Sequence, residues 1–306
     1  MTGTFALLEA GDDRWRTLWE RWPTREVWAH PSYAKLYDAG GAQAVCASWE
    51  GADGCVLYPM LLRNLETEPW WKPSLGPATD IVSPYGYGGP FFWGRDRVSV
   101  AAVFWPSFRE WADRVGVVSE FVRFSLFPDD LLPYPGETEI SLQNAVRDLS
   151  ADPDALWMDV GHKVRKNVKR AQREGVTVMI DPAGARLREF LSLYHRTMGR
   201  RGAGEEYFFP LHYFETIVRT LPGQHAFFHA FHAGRMVSTE LVLRSATSVY
   251  SFLGGSDERA YSVRPNDLLK WEIVLWAQRE KLRRFVLGGG LEMEDGIFRH
   301  KLAFAP

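Results

Sequence analysis

Apolar residues recur along the first part of the chain at spacings that predict a helix and then a β-hairpin. The helical positions are Trp15, Leu18, Trp19 and Trp22, which follow the i, i+3, i+4, i+7 spacing of one buried face. Residues 42–49 and 55–62 form two apolar runs, and the turn-forming sequence EGADG separates them. We therefore expect a packed helix followed by an antiparallel hairpin.

The remainder of the first half gives mixed signals. Residues 70–92 are rich in Pro, Gly and aromatic side chains, which is too broken for a helix and too aromatic for a disordered linker. We predict an ordered loop there, then a helix over about 99–115 and a strand within 120–127.

The second half alternates between helical and strand periodicities. A helix is predicted over about 156–174, followed by a strand at 176–180 and by two further helices, the second with Pro210 at its first position. Three strands follow, then a long apolar helix over about 266–281 and a last strand that runs into Gly288, Gly289 and Gly290. This order of elements is typical of a mixed α/β layer built around one sheet.

Length and charge divide the chain near its middle. At 306 residues it exceeds the usual size of a single core, and we predict two domains, residues 1–150 and 151–306. The first carries 13 Lys and Arg against 20 Asp and Glu, whereas the second carries 23 against 18. A polyanionic ligand should therefore prefer the second half.

The composition excludes several classes of protein. Apolar residues make up 46% and charged residues 24% of the chain, which fits a packed globular protein rather than a disordered or fibrous one. The sequence has no apolar run long enough to cross a membrane, and its acidic N-terminus is unlike a secretory signal. Because Cys46 and Cys55 are the only cysteines, we expect a cytoplasmic protein with reduced thiols.

The densest cluster of positive charge is a predicted helix face in the second half. Its members are Lys163, Arg165, Lys166, Lys169, Arg170 and Arg173. Like charges one turn apart destabilise a helix, so such a face invites a polyanion to neutralise it. Two interpretations remain open, a contact with an RNA or phosphate backbone and a simple solvated face.

Four segments together resemble one protein family. They are SPYGYGGP (83–90), HKVRKNVKRAQREGV (162–176), YHRTMGRRG (194–202) and LGGGLEMEDGIFRHKLAF (287–304). In this order they resemble the Fem-type (FemABX-like) branch of the GNAT acyltransferase superfamily. The resemblance implies an α/β (mixed α+β) protein of two tandem GNAT-like domains, the first degenerate. It also implies an aminoacyltransferase that uses charged tRNA, with the acceptor on the first domain and the donor on the second.

The resemblance also assigns site residues. Arg200, three residues after a Thr as in the family, becomes a candidate for binding acceptor phosphate, with Arg201 beside it; a cation that caps its helix is the alternative. His300 and Lys301 match an aromatic–Lys pair after an Asp-Gly dipeptide, in which the Lys stabilises charge on the reacting ester. For Lys301 the alternative is a surface lysine near a frayed terminus. His300 departs from the family, which usually has Phe there.

Other candidate positions have weaker signals. Tyr85 and Tyr87 in the glycine-rich loop are either acceptor ligands or structural aromatics. Glu240, on a predicted middle strand, is a candidate base. The histidines of one predicted strand, His225, His229 and His232, suggest no metal site, because strand alternation turns His232 to the face opposite His225 and His229.

The predicted reaction is peptide-bond formation from aminoacyl-tRNA, with no bound cofactor, on a small peptidyl acceptor. The family's acceptor-phosphate Lys has no match in the first domain, since Lys35 is out of register, and the sequence has no inserted coiled-coil arm. This favours a peptidyl secondary metabolite, as in antibiotic biosynthesis, over a cell-wall (peptidoglycan) precursor. The alternatives are an N-acyltransferase that uses acyl-CoA, although RTMGRR (196–201) fits the CoA loop pattern poorly, and an inert nucleic-acid-binding protein.

Overall fold

The described residues form two sheets, each of six strands. The computed structural model describes residues 3–290, 292 and 295–306. It separates into a first unit, Met1–Thr138, and a second unit, Glu139–Pro306. This division lies earlier than residue 150, because a short strand at Ala145–Asp148 pairs within the second sheet.

The first unit contains six strands and three helices among its described residues. The strands are β1 (Gly3–Glu9), β2 (Ala42–Gly51), β3 (Gly54–Asn64), β4 (Thr79–Val82), β5 (Phe91–Gly94) and β6 (Val117–Phe121). The helices are α1 (Asp13–Arg21), α2 (Pro31–Lys35) and α3 (Arg97–Arg114). The sheet has the order β1-β2-β3-β4-β6, with β5 paired to β3. All neighbours are antiparallel except β4 and β6, which are parallel.

The second unit likewise has six described strands, here with six helices. The strands are β7 (Ala145–Asp148), β8 (Thr177–Asp181), β9 (His225–His232), β10 (Arg235–Arg244), β11 (Ser248–Ser256) and β12 (Arg284–Gly288). The helices are α4 (Pro153–Asp159), α5 (His162–Arg173), α6 (Leu187–Arg201), α7 (Leu211–Thr220), α8 (Pro265–Arg279) and α9 (Gly296–Leu302). The sheet order is β7-β12-β11-β10-β9-β8.

The two sheets repeat one pattern of pairing. From β8 to β12 the ladders are antiparallel three times and then parallel, between β11 and β12. The first unit shows the same succession from β1 to β6. In each case a long helix, α3 or α8, precedes the last strand of the parallel pair. The sheets are therefore two copies of one topology, and β7 extends only the second.

Each copy has its own core. In the first unit α3 buries Phe104, Trp105, Phe108 and Trp111 against the sheet. In the second unit α8 buries an apolar face, including Leu269 and Ile273, which packs with Val164 and Val168 of α5. These are the apolar positions whose periodicity predicts the helices.

Several elements differ from the sequence prediction. The predicted helix over 156–174 is two helices, α4 and α5, because Val160 and Gly161 have extended ψ angles and the Gly161 amide donates to the carbonyl of Ala303 at 2.8 Å. The predicted loop over 70–92 contains strand β4 and the first two residues of β5. The strand expected within 120–127 begins earlier, at Val117, directly after a left-handed Gly116.

Two sequence expectations concern thiols and membranes. Cys46 and Cys55 are free and buried, and they lie opposite Pro59 and Glu50 in the β2–β3 ladder rather than opposite each other. Within the described ranges no helix is long and apolar enough to span a bilayer.

Candidate active site

The parallel strands of the second sheet diverge, and this divergence defines the candidate site. Pairing between β11 and β12 runs only from Ser248–Arg284 to Tyr250–Val286, yet β11 continues to Ser256 alongside β10. Ligands of α/β sheets bind beyond the carboxyl ends of parallel strands. We call the region bounded by 251–256 and 288–290 the fork.

Lys301 lies at the end of the fork on the short helix α9. The Asp295 carboxylate caps this helix by accepting from the Phe298 amide at 2.6 Å. The Lys301 ammonium donates to the carbonyl of Gly289 at 2.6 Å, directly after β12. Burial and the neighbouring Lys270 lower the pKa of Lys301 to about 8, against the opposing effect of Glu240 and Asp295. The structure thus holds the predicted catalytic lysine in a fixed, partly desolvated position.

A largely buried ion pair lies at the start of the fork, next to Ser251. The Lys270 ammonium, on α8, donates to the Glu240 carboxylate at 2.5 Å and to the Ser251 hydroxyl at 2.8 Å. Only 13% of the Lys270 side chain and 8% of the Glu240 side chain are exposed. Because the ammonium is ion-paired and donates to Ser251, it does not act as a base on that hydroxyl.

A second polar chain connects α5, α8 and α9. Asn167 on α5 donates to the Asp267 carboxylate at 3.2 Å, and the imidazole of His300 lies 3.7 Å from the same oxygen. Asp267 and Lys270 are three residues apart, so they lie on one face of α8. His300, which departs from the family pattern, therefore has a carboxylate neighbour that a Phe could not use.

The basic cluster on α5 falls into two groups. Lys163, Lys166, Lys169 and Arg173 are exposed, whereas Val164, Val168 and Ala171 are buried. The other two arginines make intramolecular contacts. Arg165 donates to the carbonyls of Met158 and Val160 at the end of α4, and Arg170 lies 3.8 Å from Glu174. Arg165 thus caps α4, which the charge pattern alone could not show.

Arg200 lies at the carboxyl end of α6 and is engaged within the unit. It donates to the carbonyl of Ser256 and to the Tyr261 hydroxyl, each at 3.0 Å, and lies 3.7 Å from Glu258. The preceding Thr197 is buried and accepts from the Ser256 amide at 3.0 Å. Arg200 therefore ties α6 to the end of β11, while Arg201 is exposed.

The second unit matches a known family. Residues 160–301 match the model described as the acetyltransferase (GNAT) domain. Residues 160–301 therefore form a GNAT acyltransferase domain. The protein is accordingly an acyltransferase, and the match ends at Lys301.

Solved structures extend the likeness across both units of this GNAT protein. FemX is 14% identical, with a TM-score of 0.72 over 98% of this chain and 94% of that chain. L-PGS from Bacillus licheniformis is 14% identical, with a TM-score of 0.59 over 98% and 90%. A tandem GNAT protein from the clavulanic acid biosynthesis pathway is 12% identical, with a TM-score of 0.50 over 99% and 94%. These likenesses confirm the tandem GNAT, Fem-type fold. No curated protein matches the sequence.

In the first GNAT copy the loop 83–90 closes the parallel pair. The Gly88 amide donates to the carbonyl of Arg123 at 2.7 Å, and the Ser125 amide donates to the carbonyl of Gly88 at 2.8 Å. Gly86 has a φ of +106°, and a Cβ there would meet the Trp28 ring. Tyr87 packs edge-on against Trp28, and burial raises its pKa to about 12. The Tyr33 hydroxyl donates to the carbonyl of Tyr85 at 2.5 Å. These contacts pack the loop against its own unit, and a role for Tyr85 and Tyr87 in acceptor binding stays a prediction.

Sequence reasoning did not find Lys270, Asn167 or Asp267. A signal for Lys270 exists, because it interrupts the apolar run LLKWEIVLW of a buried helix. The histidines of β9 also have structural partners: His229 is fully buried, with its Nδ1 2.7 Å from the Thr239 hydroxyl and its Nε2 3.4 Å from Asp181. Over the described ranges no group of side chains is arranged to hold a metal ion.

Proposed function

We propose that this GNAT protein transfers an aminoacyl group from charged tRNA to the amine of a small peptidyl acceptor. The observation that carries the proposal is the exposed basic face of α5 in the same unit as Lys301. Lys163, Lys166, Lys169 and Arg173 offer a row of cations that suits a nucleic-acid backbone. Asn167, on the same helix, contacts the Asp267 carboxylate beside His300. A surface for RNA and a site for its ester thus share one framework.

The proposed chemistry needs no cofactor. The acceptor amine attacks the ester carbonyl, and negative charge develops on the carbonyl oxygen and then on the departing ribose oxygen. The Lys301 ammonium, held by the Gly289 carbonyl, stabilises that charge. Binding both substrates beside a fixed cation supplies the rest of the rate enhancement by orientation. Such a donor requires a cytoplasmic protein.

The acceptor is proposed to be peptide-like. A peptidyl secondary metabolite is favoured over a nucleotide-linked cell-wall precursor, because the first half has no basic residue that matches the family's phosphate-binding lysine. Arg200, the other candidate phosphate ligand, already has a carboxylate neighbour in Glu258. The assignment of the acceptor to residues 1–150 and the donor to residues 151–306 remains a prediction.

A second candidate donor is acyl-CoA. The description of the matched family, acetyltransferase, favours it. Both donors present an acyl carbon to an amine, so Lys301 could serve either reaction. They differ in the polyanion that the second unit would bind.

One experiment separates the two donors. The protein is incubated with total tRNA charged with radiolabelled amino acids, or with labelled acetyl-CoA, and with a mixed pool of aminoacyl-nucleosides, dipeptides and muropeptides. RNase-sensitive transfer of label into a small product, lost in Lys301→Ala, supports the aminoacyl-tRNA donor. Consumption of acetyl-CoA with charged tRNA untouched would overturn it, and binding of RNA without transfer would favour an inert nucleic-acid-binding protein.

A further inference from the structure

Lys270 is a buried cation in the middle of an apolar helix. Its ammonium is fixed by Glu240 of β10 and Ser251 of β11, and it lies 5.5 Å from the centre of the Phe285 ring on β12. It therefore contacts all three strands where β11 and β12 begin to diverge. A buried charge is costly unless it is paired, so the Glu240 carboxylate is what allows an ammonium at this point.

The same face of α8 is directed towards α9. Asp267, one turn before Lys270, lies 3.7 Å from His300, the neighbour of Lys301. The charged groups that act on Lys301 are Lys270 from α8, Glu240 from β10, and Asp295, which caps α9. Asp267 and His300 face each other beside them. On β7, which also packs against α9, Arg147 is turned to Asp159 and Asp148 accepts from the Ser150 amide.

These groups have opposite effects on Lys301. Lys270 disfavours a second positive charge nearby, whereas Glu240 and Asp295 favour it. Of the two charges in the buried pair, Lys270 has the larger effect, and together with burial it brings the pKa of Lys301 to about 8. An acid is most useful in catalysis when its pKa lies near the operating pH.

We propose that Lys270 is a positioning residue, whose fixed ammonium makes Lys301 the proton donor to the leaving oxygen. The inference rests on the proposed function for the identity of that oxygen. In the step, the bond between the acceptor nitrogen and the acyl carbon forms and the ester C–O bond breaks. Lys301 gives a proton to the ribose oxygen, and the proton lost by the nitrogen returns to the Lys301 amine. Protons and charge therefore balance without a further reactant.

The first test needs no substrate. The protein is produced with lysine labelled with ¹³C and ¹⁵N at its eight lysines, and the Lys301 resonance is identified by its absence in Lys301→Arg. We expect Lys301 to titrate near pH 8 in the unaltered protein. Lys270→Gln keeps hydrogen-bonding capacity but removes the cation, so the Lys301 midpoint should rise by about one pH unit. Glu240→Gln removes the opposing charge, so the midpoint should fall.

Opposite shifts in the two variants distinguish electrostatic action from damage to the fold. A loosened site would move Lys301 towards its solvent value in both variants, which would overturn the proposal. Lys270→Arg, which keeps the charge, should leave the midpoint near 8. Arg279→Gln is the matched control, since it removes an exposed cation from the last turn of the same helix and should shift nothing.

The second test follows turnover of aminoacyl-tRNA against pH. If Lys301 acts as the acid, kcat falls as pH rises through about 8. In Lys270→Gln this fall should occur at a higher pH, shifted by as many pH units as the NMR midpoint. A fall of kcat at the same pH in both proteins would overturn the role of proton donor. Absence of any tRNA turnover, with the NMR shifts present, would overturn the proposed donor and support the coupling of Lys270 to Lys301.

Discussion

The parallel strands pair to different extents in the two copies of the fold. In the first unit β4 pairs with β6 along its whole length, and the following loop continues the contact through Ser83, whose amide donates to the carbonyl of Phe121 at 3.1 Å. In the second unit the parallel pairing stops at Tyr250, although β11 continues to Ser256. One topology therefore yields a closed sheet and a forked sheet.

The long helices that precede β6 and β12 also differ, in the kind of side chain that they bury. Helix α3 buries aromatic side chains, among them Phe104 and Trp111, whereas α8 buries Asp267 and carries Lys270. Buried charge costs stability unless it is paired, so its position is informative. The difference leads us to expect that buried aromatic packing dominates the first copy and that the reacting groups lie in the second. Four predictions can break or sharpen this comparison.

The largest effect should come from the aromatic core of the first copy. Phe104 is fully buried and stacks on Phe108, with ring centres 6.1 Å apart. We expect Phe104→Ala to lower the free energy of unfolding of the first unit by about 3–5 kcal/mol, because it leaves a cavity. Hydrogen exchange read by mass spectrometry on peptides from α3 and α8 measures each unit separately.

The control for this prediction is Phe121→Ala, since 65% of Phe121 is exposed and its loss should cost little. If α3 peptides exchange no faster in Phe104→Ala than in this control, the first copy is not held together by its aromatic core. Aromatic packing would then not distinguish the first copy from the second.

The next effect concerns turnover rather than stability. Lys301→Ala should lower kcat about 10²–10³-fold, equivalent to about 3–4 kcal/mol, with little change in the affinity for tRNA. Its reason is the loss of the cation held at the Gly289 carbonyl. Single-turnover kinetics with labelled aminoacyl-tRNA measures it, and Lys281→Ala, an exposed lysine after α8, is the matched control. Equal rates in both variants would remove Lys301 from catalysis.

Local patterns in the sequence predict much of the second copy and less of the first. The helices α6 and α7 follow from their apolar periodicity, because each buries one face. Helix α8 and the strands β9, β10 and β11 follow from nearly continuous apolar runs, which are buried on more than one face. The short strands β4, β5 and β7 were missed, since their pairing partners lie far along the chain. The break between α4 and α5 depends on a hydrogen bond from Gly161 to Ala303.

The residues of the candidate site come from three kinds of sequence signal. The family resemblance assigns Lys301, the charge pattern gives the basic helix face, and the place on a middle strand gives Glu240. Lys270 belongs to none of these patterns, because its importance comes from an ion pair across two elements. A charge inside an apolar helix is nevertheless a visible signal, and it indicates that a partner must exist.

Acid should weaken the first copy through one histidine. His30 is buried, and its Nδ1 accepts from the Ser32 amide at 3.0 Å, which requires the neutral ring. Burial, with a contribution from Arg16, lowers the pKa of His30 to about 4. The unfolded chain protonates first, so this contribution is complete above the unfolded value of about 6.5 and is lost as pH falls towards 4. The expected loss is about 3 kcal/mol.

The matched variant for this prediction is His30→Asn, which keeps a side-chain oxygen to accept from Ser32 but does not titrate. Exchange of α1 and α2 peptides at pH 7 and pH 4.5 gives the difference in stability. The pH dependence should shrink in the variant. In the second copy His225 and His229, whose pKa values are also lowered by burial, should still weaken the unit in acid. An unchanged slope in His30→Asn would show that acid acts elsewhere.

The smallest expected effect tests whether the second copy owes its RNA affinity to α5. Lys163 and Lys166 are both exposed, whereas Lys169 lies 6.0 Å from the Trp157 ring and is less clean to alter. Lys163→Glu with Lys166→Glu should raise KM for aminoacyl-tRNA about tenfold and make the logarithmic salt slope shallower by about 2, because two phosphate contacts are lost. The control, Arg188→Glu with Arg219→Glu, makes the same change in net charge on exposed positions of α6 and α7. If both pairs weaken binding equally, only net charge matters, and α5 is a solvated face. If the salt slope changes only in the variant with Lys163→Glu and Lys166→Glu, the second copy both binds the tRNA donor and carries the reacting groups.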